Sequence, residues 1–227
     1  TKKDEVWSEV KTKPISKKKE FGFTYSDFNV VQDTLKSGDT FGSIIQKQNI
    51  GDKKVFELVE QIKDSFDVRS IRNNKPYTLL RSKNKTKELL VFVYQPDALH
   101  YYVVDLRDSI AKAYKKTKPI TIKRRTIGGV LKSSLSETLE SANVEGGLAS
   151  RIAKIYAWSI DFFKLKRGDR FAITFTERYI NDSIYDGVDS LEASFFEYKG
   201  KIIYAFPFVA NPSSNRIEYY DEEGKGL

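Results

Sequence analysis

The sequence predicts an α+β fold with two folded units, a small βααβ module followed by a larger domain of antiparallel strands with two helices. Three observations support this prediction. Two amphipathic helical patterns lie between two strand-like segments in residues 29–82. From residue 88 onward, β-rich apolar runs alternate with turn residues. Two further helical patterns interrupt those runs. We expect a basic N-terminal arm or linker over 1–28, the module over 29–82 and the larger domain over 83–227. As an alternative for the arm, Trp7, Phe21, Phe23 and Tyr25 could dock onto the body.

The module is predicted from strand and helix signals in chain order. Residues 29–34, NVVQDT, predict the first strand, and Asp39 or Thr40 is suited to cap the first helix. Asp52 is the expected N-cap of the second helix, and residues 77–80 predict the closing strand. The apolar faces of the two helices are Phe41, Ile44 and Ile45 in the first, and Val55, Leu58, Val59 and Ile62 in the second.

The larger domain is predicted from six apolar runs and two helical patterns. Ser133 or Ser134 caps the first helix, with Glu137 placed for a capping box. The second predicted helix covers residues 147–164. The strands are ELLVFVYQ, HYYVVDL and ITIKRRTIGGVL before the helices, and RFAITFTERYI, SLEASFFEY and KIIYAFPFV after them, with a short final strand in IEYY.

A Gly-Asp-x-Phe sequence occurs twice, at residues 38–41 and 168–171. The first copy leads into a predicted helix and the second into a predicted strand. We interpret the two copies as shared turn chemistry and not as an internal repeat.

Composition excludes several kinds of active site. The 227 residues include no cysteine, which excludes disulfides, cysteine-bound zinc and thiol catalysis. There is one histidine, His100, so a zinc site that needs two imidazoles cannot be assembled. His100 lies in a strand-like run, where a half-buried structural histidine is the common case. No apolar run approaches the roughly 20 residues of a membrane span, and a chain beginning at Thr1 is expected to have lost any targeting segment.

The net charge of +8 leaves two interpretations open. Residues 112–125, KAYKKTKPITIKRR, contain seven basic side chains and no acid, which a nucleic-acid-binding protein could use as a phosphate-contacting stripe. No reader motif accompanies them, so we favour a solvated strand face and expect no nucleic-acid partner. Acidic wall polymer remains an alternative partner. The pairs Asp105/Asp108 and Glu177/Asp182 could suggest a glycosidase, but turns commonly carry carboxylates and nothing pairs these with a cleft.

TLKSGDTFGSIIQKQNI resembles the strand, Gly-Asp-Thr turn and first helix of LysM modules. That resemblance implies a shallow glycan groove between the first turn and the loop before the last strand. Backbone N–H groups and Asn amides would pair with N-acetyl groups, while an apolar residue packs against their methyls. The implied glycan-binding residues are Gly38, Asp39, Thr40, Phe41, Ile71, Arg72, Asn73 and Asn74. The alternative is that Gly-Asp-Thr is a capping turn and the second segment a polar loop.

A second resemblance covers roughly residues 30 to 227. Three segments resemble, in the same order, the region that precedes the catalytic domain of M23 zinc metallopeptidases of the murein DD-endopeptidase type. They are YAWSIDFFKLKRGDRFAITFTERY, GKIIYAFPF and EYYDEEGKGL. In that family two His and an Asp hold the zinc, in motifs that lie after the last of these segments. Since this sequence has a single histidine, no catalytic residue and no metal ligand can be carried over. Zinc is expected in the catalytic domain, and no cofactor in this chain.

The resemblance implies the non-catalytic front part of a peptidoglycan peptidase, which positions or autoinhibits the zinc domain. The expected partners are the chain's own M23 catalytic domain and glycan strands of peptidoglycan. The expected location is the bacterial cell envelope, periplasmic or anchored through a removed N-terminal segment. The alternative is a stand-alone peptidoglycan-binding or envelope interaction protein without enzymatic activity.

Overall fold

A computed structural model describes residues 18–145 and 147–227 of the chain. The chain divides into two compact units, one up to Lys118 and one from Pro119 onward. The described residues form a mixed fold with antiparallel sheets and four α-helices, which confirms the α+β prediction at that level. Residues 1–17 of the predicted arm lie outside the described residues.

The first unit contains a hairpin, a five-stranded antiparallel sheet and two helices. The hairpin strands are β1 (Lys19–Glu20) and β2 (Phe23–Thr24). The sheet strands, each paired with the next, are β3 (Asn29–Thr34), β4 (Pro76–Arg81), β5 (Leu89–Tyr94), β6 (His100–Asp105) and β7 (Lys112–Thr117). Helices α1 (Phe41–Gln46) and α2 (Asp52–Ile62) connect β3 to β4. The four predicted elements of the βααβ module are therefore all present.

The sheet of the first unit continues past the predicted module boundary at residue 82. Strand β4 pairs with β5, with Leu79 opposite Phe92, and β6 and β7 are the next strands of the same sheet. The predicted boundary between 82 and 83 thus lies inside the first compact unit, which extends to Lys118. Strand β7 is absent from the predicted elements, because KAYKKT has neither an apolar run nor a clean alternation. Lysines on an edge strand are typical, since they discourage pairing with another sheet.

Apolar side chains cover both faces of this sheet. On one face, α1 and α2 bury residues such as Phe41, Ile45 and Leu58 against Leu79 and Phe92. On the other face, the hairpin inserts aromatic rings into a second cluster whose buried members are Phe21, Phe23, Leu80, Val91, Val93, Tyr101 and Val103. Residues 18–28 therefore pack on the first unit and differ from a solvated arm, with Phe21 and Phe23 docked on the body as the alternative expects. Burial of the two phenylalanines explains the difference.

The second unit is a five-stranded antiparallel sheet with two helices. Its strands are β8 (Ile120–Val130), β9 (Arg170–Ile180), β10 (Ile184–Tyr198), β11 (Lys201–Phe208) and β12 (Glu218–Tyr220), paired in that order across the sheet. Helices α3 (Leu135–Ser141) and α4 (Gly147–Ile155) connect β8 to β9. Leu139, Leu148 and Ile152 from these helices pack with Phe175 and Phe196 from the strands.

Three local predictions differ from the structure. Gly51 occupies the N-cap position of α2, and Asp52 is the first helical residue; a carboxylate there still complements the positive end of the helix. The helix predicted over 147–164 ends at Ile155. The end of the predicted range forms a separate 3-10 turn, in which the Asp161 side chain accepts the Phe163 N–H. Strand β10 begins before the predicted SLEASFFEY run and has an irregular register against β9.

Candidate functional site

The two segments predicted to form a glycan groove lie side by side in the first unit. The Asn74 N–H donates to the Leu35 carbonyl at 2.8 Å, and the Leu35 N–H donates to the Lys75 carbonyl at 3.0 Å. These bonds bring the turn that precedes α1 next to the loop that precedes β4. The structure therefore places Leu35, just before the Gly38–Phe41 segment, beside Asn74 at the end of the Ile71–Asn74 loop. Binding of these residues to a glycan stays a prediction.

The Gly-Asp-Thr turn is organised as a helix cap. The Thr40 side chain accepts the Ser43 N–H at 3.0 Å, and the Ser43 hydroxyl accepts the Thr40 N–H at 2.9 Å. Asp39 accepts the Lys36 N–H at 2.9 Å and pairs with Lys47 at 3.1 Å. The hydrogen bond from the Lys36 N–H, and after it the one from Lys47, holds the pKa of the Asp39 carboxyl below its usual value. The polar groups of this turn are thus largely satisfied by the helix that it starts.

The apolar member of the predicted groove, Phe41, is a core residue. Its side chain is 1% exposed, and its ring packs edge-on against Phe66 and Phe92, with centroids 6.0 and 5.2 Å away. It cannot present a surface to an N-acetyl methyl group without leaving the core. The half-buried Ile71 is the remaining apolar side chain of the predicted set.

The loop from Ile71 to Asn74 is anchored by one tyrosine and is polar at its surface. The Arg72 N–H donates to the Tyr94 hydroxyl at 3.0 Å. Asn74 has a positive φ of 61°, which asparagine tolerates better than most residues. Arg72, Asn73 and Asn74 are exposed, as are Gly38 and Thr40. Such a surface offers donors and acceptors to a polar ligand and holds no group placed as nucleophile or general base.

A cavity in the first unit has no counterpart among the sequence predictions. It has a volume of about 540 Å³ and lies beside α2, between the β4–β5 and β6–β7 connections. Charged and apolar side chains both contribute to its wall, among them Lys54, Glu57, Leu58, Leu89, Arg107 and Asp108. These residues lie on separate elements, so no motif in the sequence groups them.

A second cavity, in the second unit, is almost wholly apolar. It has a volume of about 400 Å³ and is lined by Phe206, Pro207, Phe208, Tyr220 and Gly224. Phe206 and Phe208 share one side of β11 and remain exposed. The alternation in KIIYAFPF could have indicated this outer apolar row, since successive strand side chains point to opposite faces.

Every basic side chain of residues 112–125 has a partner nearby. Lys112, Arg124 and Arg125 pair with the carboxylates of Asp108, Glu192 and Glu177. The ammonium groups of the other four lysines lie 4.0 to 5.9 Å from the centroids of aromatic rings. The pairs are Lys115 with Tyr102, Lys116 with Tyr114, Lys118 with Phe21 and Lys123 with Tyr179. These contacts favour the solvated-face interpretation over a phosphate-contacting stripe. The absence of a nucleic-acid partner stays a prediction.

The two carboxylate pairs do not form a two-carboxylate site. Glu177 is 5% exposed and accepts hydrogen bonds from Arg125 and Tyr179, each at 3.1 Å. Asp182 instead accepts the Thr121 hydroxyl. Asp105 pairs with Arg107, while Asp108 pairs with Lys112. Each of the four acids is held by its own neighbours.

The residues of this chain do not fit a zinc site of the histidine type. His100 Nδ1 lies 3.0 Å from the Asp97 carboxylate at the start of β6, where it helps to close a turn. Within residues 18–145 and 147–227, no group of three or more His, Cys, Asp or Glu side chains is arranged to hold a metal ion. None of the helices in that part of the chain has the length and apolar character needed to cross a bilayer.

Comparison with known proteins shows distant similarity over most of the chain. A curated protein of Haemophilus influenzae described as an uncharacterized metalloprotease is 23% identical over 194 residues, which is 86% of this chain and 38% of that protein. A zinc-containing peptidase from Vibrio cholerae has a similar fold, with a TM-score of 0.50, 16% identity, and coverage of 86% of this chain and 58% of the peptidase. Csd3 of Helicobacter pylori matches with a TM-score of 0.49 and 19% identity over 84% of this chain and 50% of Csd3.

No family model matches the sequence. The chain spans about two fifths of the curated relative that it matches. It is thus distantly similar, along most of its own length, to part of a metalloprotease and to the fold of part of a zinc-containing peptidase.

Proposed function

We propose that this chain is the non-catalytic part of a bacterial peptidoglycan metalloendopeptidase of the M23 family, and that it positions or restrains the zinc peptidase domain. The observation that carries the proposal is the match to a metalloprotease over 86% of this chain but 38% of the relative. The matched region contains a single histidine, and that histidine is engaged with Asp97. Hydrolysis by zinc is therefore assigned to a separate domain, and the envelope is the corresponding location.

The reading frame after Leu227 tests the assignment to a larger enzyme. An in-frame domain with two histidines and an aspartate spaced as zinc ligands supports the proposal. A stop codon directly after Leu227 overturns it and favours the stand-alone envelope protein. The purified chain is also expected to release no peptides from cross-linked peptidoglycan with added zinc. Zinc-dependent cleavage that a chelator abolishes would contradict the non-catalytic assignment.

Restraint of the enzyme is tested by adding the chain in trans to the peptidase domain encoded with it. A restraining role predicts slower cross-link cleavage in proportion to the chain added. A heat-unfolded sample of the same chain is the control and should have no effect. Unchanged or faster cleavage would exclude restraint and leave positioning as the role of the chain.

Glycan binding is a second candidate function of the same chain. It is supported by the two hydrogen bonds that join Leu35 to Asn74 and Lys75, and by the exposure of Gly38 and Asn73 in the two segments that follow and precede these residues. Retention of the chain on purified sacculi at low salt tests it. Asn73→Ala should weaken retention, while Asn84→Ala, which alters an asparagine in another loop of the same unit, should not. Wild-type chain that washes off at low salt would remove this function.

A further inference from the structure

Two large aromatic side chains project fully into solvent from the second unit. Trp158 is 94% exposed and Phe163 is 102% exposed. Both lie in the segment that joins α4 to β9. Folding normally buries aromatic side chains of this size for most of their area. Exposure of two such rings within one short segment marks an interaction surface.

The segment that carries these rings is fixed to the core. Tyr156 and Phe162 pack edge-on against Phe196, with ring centroids 5.3 and 5.4 Å away. The Tyr156 hydroxyl lies 2.9 Å from the Ser194 hydroxyl, and Ile160 is buried. Since Tyr156 and Ile160 flank Trp158, and Phe162 precedes Phe163, the fold holds the two exposed rings outward.

Basic residues gather at the same end of this sheet. Val130 at the end of β8 pairs with Arg170 at the start of β9, and Tyr198 at the end of β10 pairs with Lys201 at the start of β11. The segment before β9 and the β10–β11 turn therefore lie at one end of the sheet. We call this surface the aromatic–basic end and define it as Trp158, Phe163, Lys164, Lys166, Arg167 and Lys199.

The acidic residues of this end do not cancel its basic charge. Asp161 pairs with Lys164 at 2.9 Å, and Asp169 accepts the Lys166 N–H at 2.7 Å. Among the residues that the structure describes, neither Arg167 nor Lys199 has an ion-pair partner, and both are exposed. With Lys166, Arg167 and Lys199 against the one remaining carboxylate of Asp169, the end has a net positive charge around two apolar rings.

We propose that the aromatic–basic end binds peripherally to an anionic lipid surface. Trp158 and Phe163 enter the headgroup region, and Lys166, Arg167 and Lys199 contact lipid phosphates. Tryptophan and phenylalanine beside Lys and Arg are the composition of interfacial membrane segments. A protein partner would need a shaped pocket for each separate ring, whereas a lipid interface accepts both without one. This inference is independent of the assignment to a peptidase.

Tryptophan fluorescence of the full chain tests the inference directly. The sequence has two tryptophans, Trp7 and Trp158, so Trp7→Phe leaves Trp158 as the single reporter. With vesicles of phosphatidylglycerol and phosphatidylethanolamine, its emission should move to shorter wavelength and be quenched by brominated acyl chains. Vesicles of phosphatidylcholine alone should give a much smaller change. About 1 M salt, where the Debye length is about 3 Å, should weaken binding to the anionic vesicles.

Vesicle co-sedimentation of matched variants separates this surface from nonspecific adsorption. Phe163→Ala should lower partitioning about tenfold, as expected for removing one ring from an apolar interface. Phe56→Ala is the control, because Phe56 is 68% exposed on α2 in the other unit. Both sites are exposed, so circular dichroism should match wild type. Equal partitioning of the two variants would overturn the proposal. So would a Trp158 emission that ignores anionic vesicles but shifts on adding a peptidase domain, which would make the surface a protein-docking site.

Discussion

The turn before α1 and the turn before β9 are built from the same hydrogen bonds. In each, an aspartate carboxylate accepts the N–H of the lysine three residues earlier, at 2.9 Å for Asp39 and 2.7 Å for Asp169. The N–H of each aspartate donates to the carbonyl of that same lysine at 3.0 Å. The glycine before each aspartate has a positive φ, 88° at Gly38 and 106° at Gly168.

The two turns lead into different elements. Thr40 and Ser43 exchange two hydrogen bonds that start a helix. Arg170 instead pairs with Val130 across two strands, and its side chain contacts Glu197 at 2.8 Å. The turn chemistry is therefore local, while the choice of helix or strand after it depends on the next side chain and on the strands available to it. The interpretation of the two Gly-Asp-x-Phe copies as turns and not repeats agrees with this.

Removing the phenylalanine at the end of each Gly-Asp-x-Phe sequence should give the largest effects. Phe41 is 1% exposed and Phe171 is 4% exposed, each in the core of its own unit. Phe41→Ala and Phe171→Ala should each lower the free energy of unfolding by about 3–5 kcal/mol, because each leaves a cavity. Denaturant unfolding measures the loss, and hydrogen exchange should assign it to β3–β7 in the first variant and to β8–β12 in the second.

Conservative variants check that these losses come from packing. Phe41→Leu and Phe171→Leu keep most of the apolar volume and should cost clearly less than the alanine variants. If Phe171→Ala cost less than about 1 kcal/mol, the two phenylalanines would not be equivalent anchors. The two turns would then share their backbone hydrogen bonds but not the contribution of the following phenylalanine to stability.

The glycines test whether the two turns share one backbone requirement. An added Cβ would meet no atom within 4 Å at Gly38 or Gly168, so only the positive φ opposes a side chain. Gly38→Ala and Gly168→Ala should each cost about 1–2 kcal/mol. Asparagine tolerates positive φ better than alanine, so Gly38→Asn and Gly168→Asn should recover part of the loss in thermal unfolding. An alanine variant as stable as wild type would show that the turn relaxes to another conformation.

The local elements can be predicted from sequence because their signals are short-range. The apolar spacing of Val55, Leu58 and Ile62 predicts α2, and Thr40 marks the start of α1. The extent of the first sheet cannot be predicted in this way, because β7 gains its place by pairing with β6 and not from its own pattern. The strands that carry Phe21 and Phe23 to the sheet are not predicted, because a two-residue strand leaves almost no periodic signal.

The sequence predicts where the segments of the candidate site lie, but not which of their side chains are exposed. Proximity of Leu35 and Asn74 results from the β3–β4 pairing, in which Thr34 lies opposite Pro76. Whether Phe41 faces a ligand or the core depends on Phe66 and Phe92, which are distant in sequence. The exposure of Trp158 also cannot be predicted from the local sequence pattern. The helical pattern continues through residue 158, whereas the structure ends α4 at Ile155.

Replacing the residue directly after each aspartate should separate the helix start from the strand start. Thr40→Ala removes a capping oxygen and should cost about 1 kcal/mol, while Thr40→Ser keeps the oxygen and should cost little. Arg170→Ala removes an exposed ion pair, which contributes little in water, and should cost less than Thr40→Ala. Urea unfolding curves measure all three variants. A larger loss for Arg170→Ala than for Thr40→Ala would show that the ion pair with Glu197 matters more than the cap.

Changing pH should give the smallest effect on the free energy of unfolding, through the carboxylate of Asp39. Hydrogen bonds from the Lys36 N–H and from Lys47 lower the pKa of Asp39 in the folded chain. A lowered folded-state pKa adds stability above the unfolded value of about 3.9 and loses it as pH falls through the folded value. Wild type should therefore be slightly more stable than Asp39→Asn at neutral pH, and the gap should close below about pH 4.

Denaturant midpoints across this pH range, with carboxyl-carbon NMR of Asp39, measure the acid effect. Asp169→Asn is the matched variant, because the described residues place no ion-pair partner on Asp169 comparable with Lys47 on Asp39. Both asparagine variants keep an oxygen that can accept the lysine N–H, so the difference between them at neutral pH reports the ion pair of Asp39 with Lys47. A gap for Asp39→Asn that stays constant as pH falls would assign its effect to hydrogen-bond geometry and not to charge. The Lys47 ion pair would then add nothing that distinguishes the turn before α1 from the turn before β9.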